Sequence, residues 1–308
     1  MTAASYTNQV FGRGMSRGLH FLRSDPRHYQ ITVLSLLLIY GIGWLDFEVG
    51  SVQALTILLT ALLTQYLCTQ LSRLLHFDPR SPLISALSLC LLLRTNHLWL
   101  MALTAVITIL SKSILRWKEK HIFNPTNFGL VAMMLLTGQV WVSPAQWGSG
   151  AFFGFLIACL GGLVVYRAAR SDVTYAFLIF YTLILFGRAI WLGDPLSIPL
   201  RQLQSGALLI FAFYMISDPR TTPNSRAGRI LFAFLVAAGA GFVHFGLFRT
   251  NGLLWSLAFF SPLVLVIDFL LPGYRYEWIS KPSFVSVARV RSNTITEHEH
   301  GLHERSLP

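Results

Sequence analysis

The chain has 308 residues, of which 54% are hydrophobic and only 12% charged, with a mean hydropathy of +0.58. Soluble domains carry about 25% charged residues, so an ordinary solvated surface is excluded. The formal net charge of +11 lies in short basic patches between apolar runs, a pattern of topology-setting loops with membrane lipid as partner and no nucleic acid.

The apolar runs are close to the ~20 residues of a spanning helix rather than the alternating ten-residue segments of a barrel. The fold class read from them is all-α integral membrane, with about ten transmembrane helices. Residues 1–28 carry Arg13, Arg17, Arg23 and Arg27 and form a basic amphipathic or disordered N-terminal segment. No cleavable signal peptide is visible there. A membrane domain then covers 29–272, with predicted spans at 30–46, 52–75, 82–94, 97–115, 125–137, 150–167, 173–192, 203–217, 228–247 and 252–271. Residues 273–308 form a polar tail containing His298, His300 and His303, read as a disordered cytoplasmic tail over a metal-binding one.

Three spans, 82–94, 125–137 and 203–217, are shorter than the ~20 residues that cross the hydrocarbon, and are predicted as broken helices. The basic residues require them all. With both termini inside, 20 Lys and Arg fall in inside segments, and only Arg94, Arg188, Arg201 and Arg249 outside, together the 24 of the chain. Dropping one short span would break the positive-inside alternation in every later loop.

Two polar segments border the short spans. In the first, Lys120 to Gly129, Pro125 suits the first turn of a helix and Asn124 its N-cap, with Thr126 and Asn127 following. A helix N-terminus within the membrane is a place for anionic groups. In the second, Ser217 to Arg226, Pro219 ends a helix at Asp218, and Thr221, Thr222, Asn224 and Ser225 can cap backbone. Arg220 can pair with Asp218 or clamp an anionic headgroup. Plain loop chemistry at membrane ends is the alternative for both segments.

No catalytic or metal motif is present. HExxH, GxSxG, the P-loop and GxGxxG are all absent, and Cys68, Cys90 and Cys159 lie in apolar runs without CxxC spacing. Asp268 is the main intramembrane acid, and His121 and His244 are candidate proton relays or structural histidines. The chain divides into two halves of five spans, repeat one about 29–137 and repeat two about 150–272. The second half must insert inverted, which places a site at the repeat interface.

Three stretches, HIFNPTN at 121–127, SGA at 205–207 running to SDPRTTP at 217–223, and Gly228-Arg229, resemble the RnfD/NqrB family of membrane electron-transport subunits. The phrase HIFNPTNFG is also similar to the RnfD-like branch found in enediyne biosynthetic clusters. The resemblance implies ten helices in two inverted repeats, a bacterial inner-membrane location, other membrane or redox subunits as partners, and flavin-linked electron transport coupled to ion movement. It implies Asn124, Thr126, Asn127, Ser205, Asp218, Arg220, Thr221 and Thr222 as cofactor-binding residues. Pumping members esterify FMN to the threonine of an SGAT-type motif. Here the motif reads Ser149-Gly150-Ala151-Phe152, and phenylalanine has no hydroxyl to esterify. Covalent FMN is therefore not expected, while noncovalent FMN or riboflavin is. The alternatives are a channel or transporter on the same fold without redox chemistry, and a membrane protein serving natural-product biosynthesis or export.

Overall fold

A computed structural model describes residues 25–44, 49–72, 77–118, 120–142, 160–162, 164–166 and 169–276. The N-terminal basic segment, most of the predicted 150–167 span, the Ser149–Phe152 motif and the tail beyond Tyr276 lie outside these residues.

The first half of the chain contains α1 (Pro26–Trp44), α2 (Ser51–Leu71), α3 (Arg80–Leu92), α4 (Leu98–Ile114) and α5 (Pro125–Thr137). A two-stranded antiparallel hairpin, β1 (Arg116–Trp117) with β2 (Lys120–His121), joins α4 to α5. The second half contains α6 (Ser171–Leu192), α7 (Ser197–Leu203), α8 (Gly206–Met215), α9 (Arg226–Gly246), α10 (Gly252–Phe260) and α11 (Leu263–Leu270). Residues 160–162 and 164–166 are also helical. By length and composition, α2, α6 and α9 can cross a membrane, and α10 with α11 makes a fourth span if the bent pair counts as one. The helices α3, α4, α5 and α8 are apolar but shorter.

Large apolar side chains fill the core, such as Phe177, Phe211 and Phe232, and also cover much of the outer surface. On α2, the small or slim residues Ala54, Ile57 and Ala61 are buried, whereas Val52, Leu55, Leu59, Leu63 and Leu67 are at least half exposed. On α9, Ala233, Ala237 and Ala240 are buried while Phe234 and Phe242 face out. Small residues at helix contacts let backbones approach where lipid supplies no hydrophobic drive between helices, and the outward apolar stripes suit lipid better than water. Within the first half, α2 packs on α4 and α4 on α5; within the second, α6 packs on α9 and α9 on α10. Contacts between α5 and α10 link the halves.

The sequence reading of each span needs adjustment at two places. The 203–217 run narrows to α8 at Gly206–Met215, because the chain breaks at Gln204–Ser205 after a separate short helix, α7. The last run bends by 52° between α10 and α11, where Pro262 lacks the N–H that a continuous helix requires. Helices α8 and α9 each end in a π turn, Phe211–Met215 and Phe242–Gly246, a form found mostly at functional positions.

Gly129 fixes how closely α5 approaches α4. A Cβ at this position would lie 1.9 Å from Thr108 Oγ1 and 3.3 Å from the Thr104 carbonyl. Gly129→Ala is expected to cost about 1–3 kcal/mol through overpacking, read as earlier unfolding in detergent. Adding Thr108→Ala should recover part of the loss, since it removes the hydroxyl that clashes.

Candidate functional site

The two polar segments meet. Asn124 caps α5 as its sequence suggests: its backbone is extended, its Oδ1 accepts from Asn127 N–H at 3.1 Å, and Pro125 occupies the first turn. Its Nδ2 reaches across the halves and donates to the Met215 carbonyl at 3.2 Å, in the π turn that ends α8. Asn127 is fully buried and donates from Nδ2 to the Leu254 carbonyl of α10, while its Oδ1 has no hydrogen-bond partner among the described residues. Thr126 is buried, with its hydroxyl 3.4 Å from the Ser85 carbonyl of α3. Phe123 and Phe128 flank the cap with ring centroids 5.1 Å apart.

The second segment folds over the end of α8. The Asp218 carbonyl accepts from the backbone and hydroxyl groups of both Thr221 and Thr222, and both threonines are buried. Arg170, also buried, donates from Nε to Thr222 Oγ1 at 3.2 Å and stacks over the Tyr276 ring at 4.8 Å. Its Nη2 has no partner among the described residues. Ser225 caps α9 by accepting from Gly228 N–H.

Ion pairs lock the seam. Lys120 Nζ pairs with Asp268 Oδ2 at 2.5 Å and reaches Asn224 Oδ1, while Asp268 Oδ1 accepts the Asn224 N–H. Arg229 grips both oxygens of Asp172 through Nε and Nη2 and donates from Nη1 to the Asn224 carbonyl. Asn224 thus ties both polar segments to α6, α9 and α11.

Of the eight residues predicted from sequence, seven lie along this seam. Ser205 does not: it precedes α8, whose ten residues, Gly206–Met215, place it about 15 Å away at the helix's other end. Arg170 and Asp172 fall outside every motif read from the sequence, and Lys120 and Arg229, though within quoted stretches, were not assigned to the site, because the partners of all four are remote in the chain. Sequence reasoning also missed a readable signal. The tripeptide Asp-Pro-Arg occurs at 25–27, 78–80 and 218–220. Each copy makes the same turn, with Asp Oδ1 accepting the Arg N–H at 2.9, 3.0 and 3.0 Å. The first two copies interlock: Arg27 pairs with Asp25 and Asp78, and Arg80 with Asp78 and Asp25, at 2.7–2.8 Å. Burial alone would raise the Asp78 carboxyl, but the Arg80 hydrogen bonds and the charges of Arg27 and Arg80 hold it at about 2.

Electrostatics differ around the third copy. Burial raises the Asp218 carboxyl above its ordinary range, against the pull of Arg220, Lys112 and Arg170. Burial and the charges of Lys112, Arg220 and Arg116 push His121 down to about 3. A histidine depressed in the fold is neutral there while the unfolded chain takes up a proton. Its contribution is therefore full above about pH 6.5 and is lost as pH falls toward about 3. Thermal unfolding across pH 7 to 4 is expected to show this loss, and His121→Asn to flatten it.

Residues 137–272 match the model of the NQR2, RnfD, RnfE family. The matched part holds the second polar segment and α6 to α11; the first polar segment precedes it. No curated protein matches the chain. The apolar helices and this match together make the chain a multi-pass membrane protein.

Proposed function

Starting from a chain that is an RnfD/NqrB-like family member over residues 137–272, we propose that it is a membrane subunit of an Rnf/Nqr-type complex that takes part in flavin-linked electron transport. The observation that carries this reading is the seam itself, in which Asn124 of one half bonds the end of α8 in the other. The packing of α2 on α4 and α4 on α5 is similar to that of α6 on α9 and α9 on α10, which supports reading the halves as two repeats. Ion movement coupled to the electron step, a bacterial inner-membrane location and redox partner subunits belong to the same proposal.

The chain's own residues fit a noncovalent flavin. Asn127 Oδ1 is a buried acceptor without a partner among the described residues, suited to the imide N–H of a flavin ring and costly to leave unmet. Phe123 and Phe128 supply aromatic faces beside it. A bound flavin would supply one- or two-electron transfer; Asn127 would orient it, Asn124 would fix Asn127 through the helix cap, and the surrounding helices would exclude water. Phe152 carries no acceptor hydroxyl, so the flavin is held without an ester. Purified protein run on a denaturing gel is expected to show no flavin fluorescence at its own mass, and the flavin should pass into the filtrate after denaturation. A fluorescent protein band would contradict noncovalent binding.

A further inference from the structure

Helices α3, α4 and α5 contain no Asp, Glu or His, and Lys112 of α4 is the one lysine in them. It is 7% exposed. Its Nζ donates to Ser81 Oγ at 2.6 Å, in the first turn of α3. No carboxylate pairs with it among the described residues, whereas Lys120 meets Asp268. The charges that act on it from further off balance, Asp218 and Asp78 against Arg220 and Arg27. The neighbouring α2 carries no charge, and the neutral His121 ring bonds the Lys112 carbonyl. Thr108 and Thr104 lie one and two turns further along the same face of α4, and both are fully buried. The Thr104 hydroxyl bonds the Leu100 carbonyl, but Thr108 Oγ1 has no partner among the described residues. On α3, Ser85 and Ser88 continue one face from Ser81 and are buried as well. A hydroxyl-lined stripe therefore runs about 12 Å inward along α4 from Lys112.

We infer that Lys112 carries protons between solvent at the basic end of the helices and the buried hydroxyls of α3 and α4, so that the ion moved through the first half is a proton. An ionisable side chain inside a membrane protein is costly to hold and marks a path for ions or protons. Ser81 is half-buried and follows Arg80, whose partner Asp78 is 38% exposed, so water reaches the serine side. In its neutral form Lys112 accepts the Ser81 hydroxyl proton, and Ser81 takes another from water. The ammonium then gives one proton to Thr108 Oγ1, which passes its own inward, and Lys112 returns to the amine. Each transfer conserves charge and needs no other reactant. Sodium does not suit the same stripe, since α3 to α5 offer it no carboxylate and an ammonium repels a second cation. The inference rests on the ion-movement part of the proposed function and names the ion; it does not need the flavin.

The test is proton movement into liposomes that hold the full-length protein and a trapped pH-sensitive dye, driven by a potassium diffusion potential. Protein-dependent acidification is expected. Lys112→Arg should abolish it, because arginine keeps the charge and donors for Ser81 but does not release its proton. Lys112→His, which gives and takes a proton, should retain flux. Ser81→Ala, a small change at a half-buried position, should slow it while the detergent elution profile stays that of the wild type. A merely structural Lys112 would be served by arginine better than by histidine, so the order of the two variants separates the roles. Absence of protein-dependent acidification, wild-type flux in Lys112→Arg, or sodium moving in place of protons overturns the inference. Lys112-dependent proton flux in a protein that retains no flavin would leave it standing and sink the flavin reading alone. Retained flavin without proton flux would do the reverse.

Discussion

Arg229→Ala is expected to destabilise the protein by about 3–5 kcal/mol, because it strands a carboxylate in a poorly solvated place. The side chains of Arg229 and Asp172 are only 11% and 18% exposed. The substitution removes three bonds to Asp172 and also the one to the Asn224 carbonyl. Asn224 in turn receives Lys120 and donates to Asp268, so the loss should spread to the seam. Arg229→Lys restores the charge but not the fork, and should recover less than half. The double variant Asp172→Leu with Arg229→Leu should be more stable than Arg229→Ala alone, since no charge is left unpaired. Unfolding in mixed micelles with increasing denaturing detergent measures all four. Equal stability of Arg229→Ala and the wild type would mean that the pair contributes nothing.

The second large effect belongs to Asn124. Asn124→Ala removes an N-cap, worth about 1 kcal/mol, and takes from the buried Met215 carbonyl the shorter of its two hydrogen bonds, leaving the Asp218 N–H at 3.4 Å, worth about 0.5–1.5 kcal/mol more. The total, about 1.5–2.5 kcal/mol, is large for one neutral side chain. Asn124→Asp separates the two terms. It keeps the cap, which accepts from Asn127 N–H, but has no N–H for Met215. The order of stability should be wild type, then Asp, then Ala. Flavin content should fall in both variants if the seam holds the ring, because Asn127 is fixed through the same cap.

Much of this seam was legible locally. Asn124 followed by Pro125 is a cap and first turn by side-chain chemistry alone, and α5 spans the predicted residues 125–137. The basic residues assigned to one side of the bilayer do gather at one end of the described helices, where Arg27, Arg80, Lys112, Lys120, Arg170 and Arg229 interact. What periodicity could not supply was pairing. Nothing local says that Lys120 finds Asp268, 148 residues away, or that Asp172 finds Arg229. The bend at Pro262 was signalled by its proline, yet apolarity on both sides masked it. Ser205 was carried by resemblance rather than by chemistry, and the helix that follows it reaches the seam only at its far end, Met215.

The central claim is that the seam between the halves holds a noncovalent flavin. The most direct measurement is the visible absorption spectrum of the wild-type protein and Asn124→Ala, purified in detergent and supplied with flavin before desalting. The account predicts flavin bands that stay with the wild-type protein through desalting, shrink in Asn124→Ala and leave entirely on denaturation. A wild-type protein that emerges colourless would contradict it.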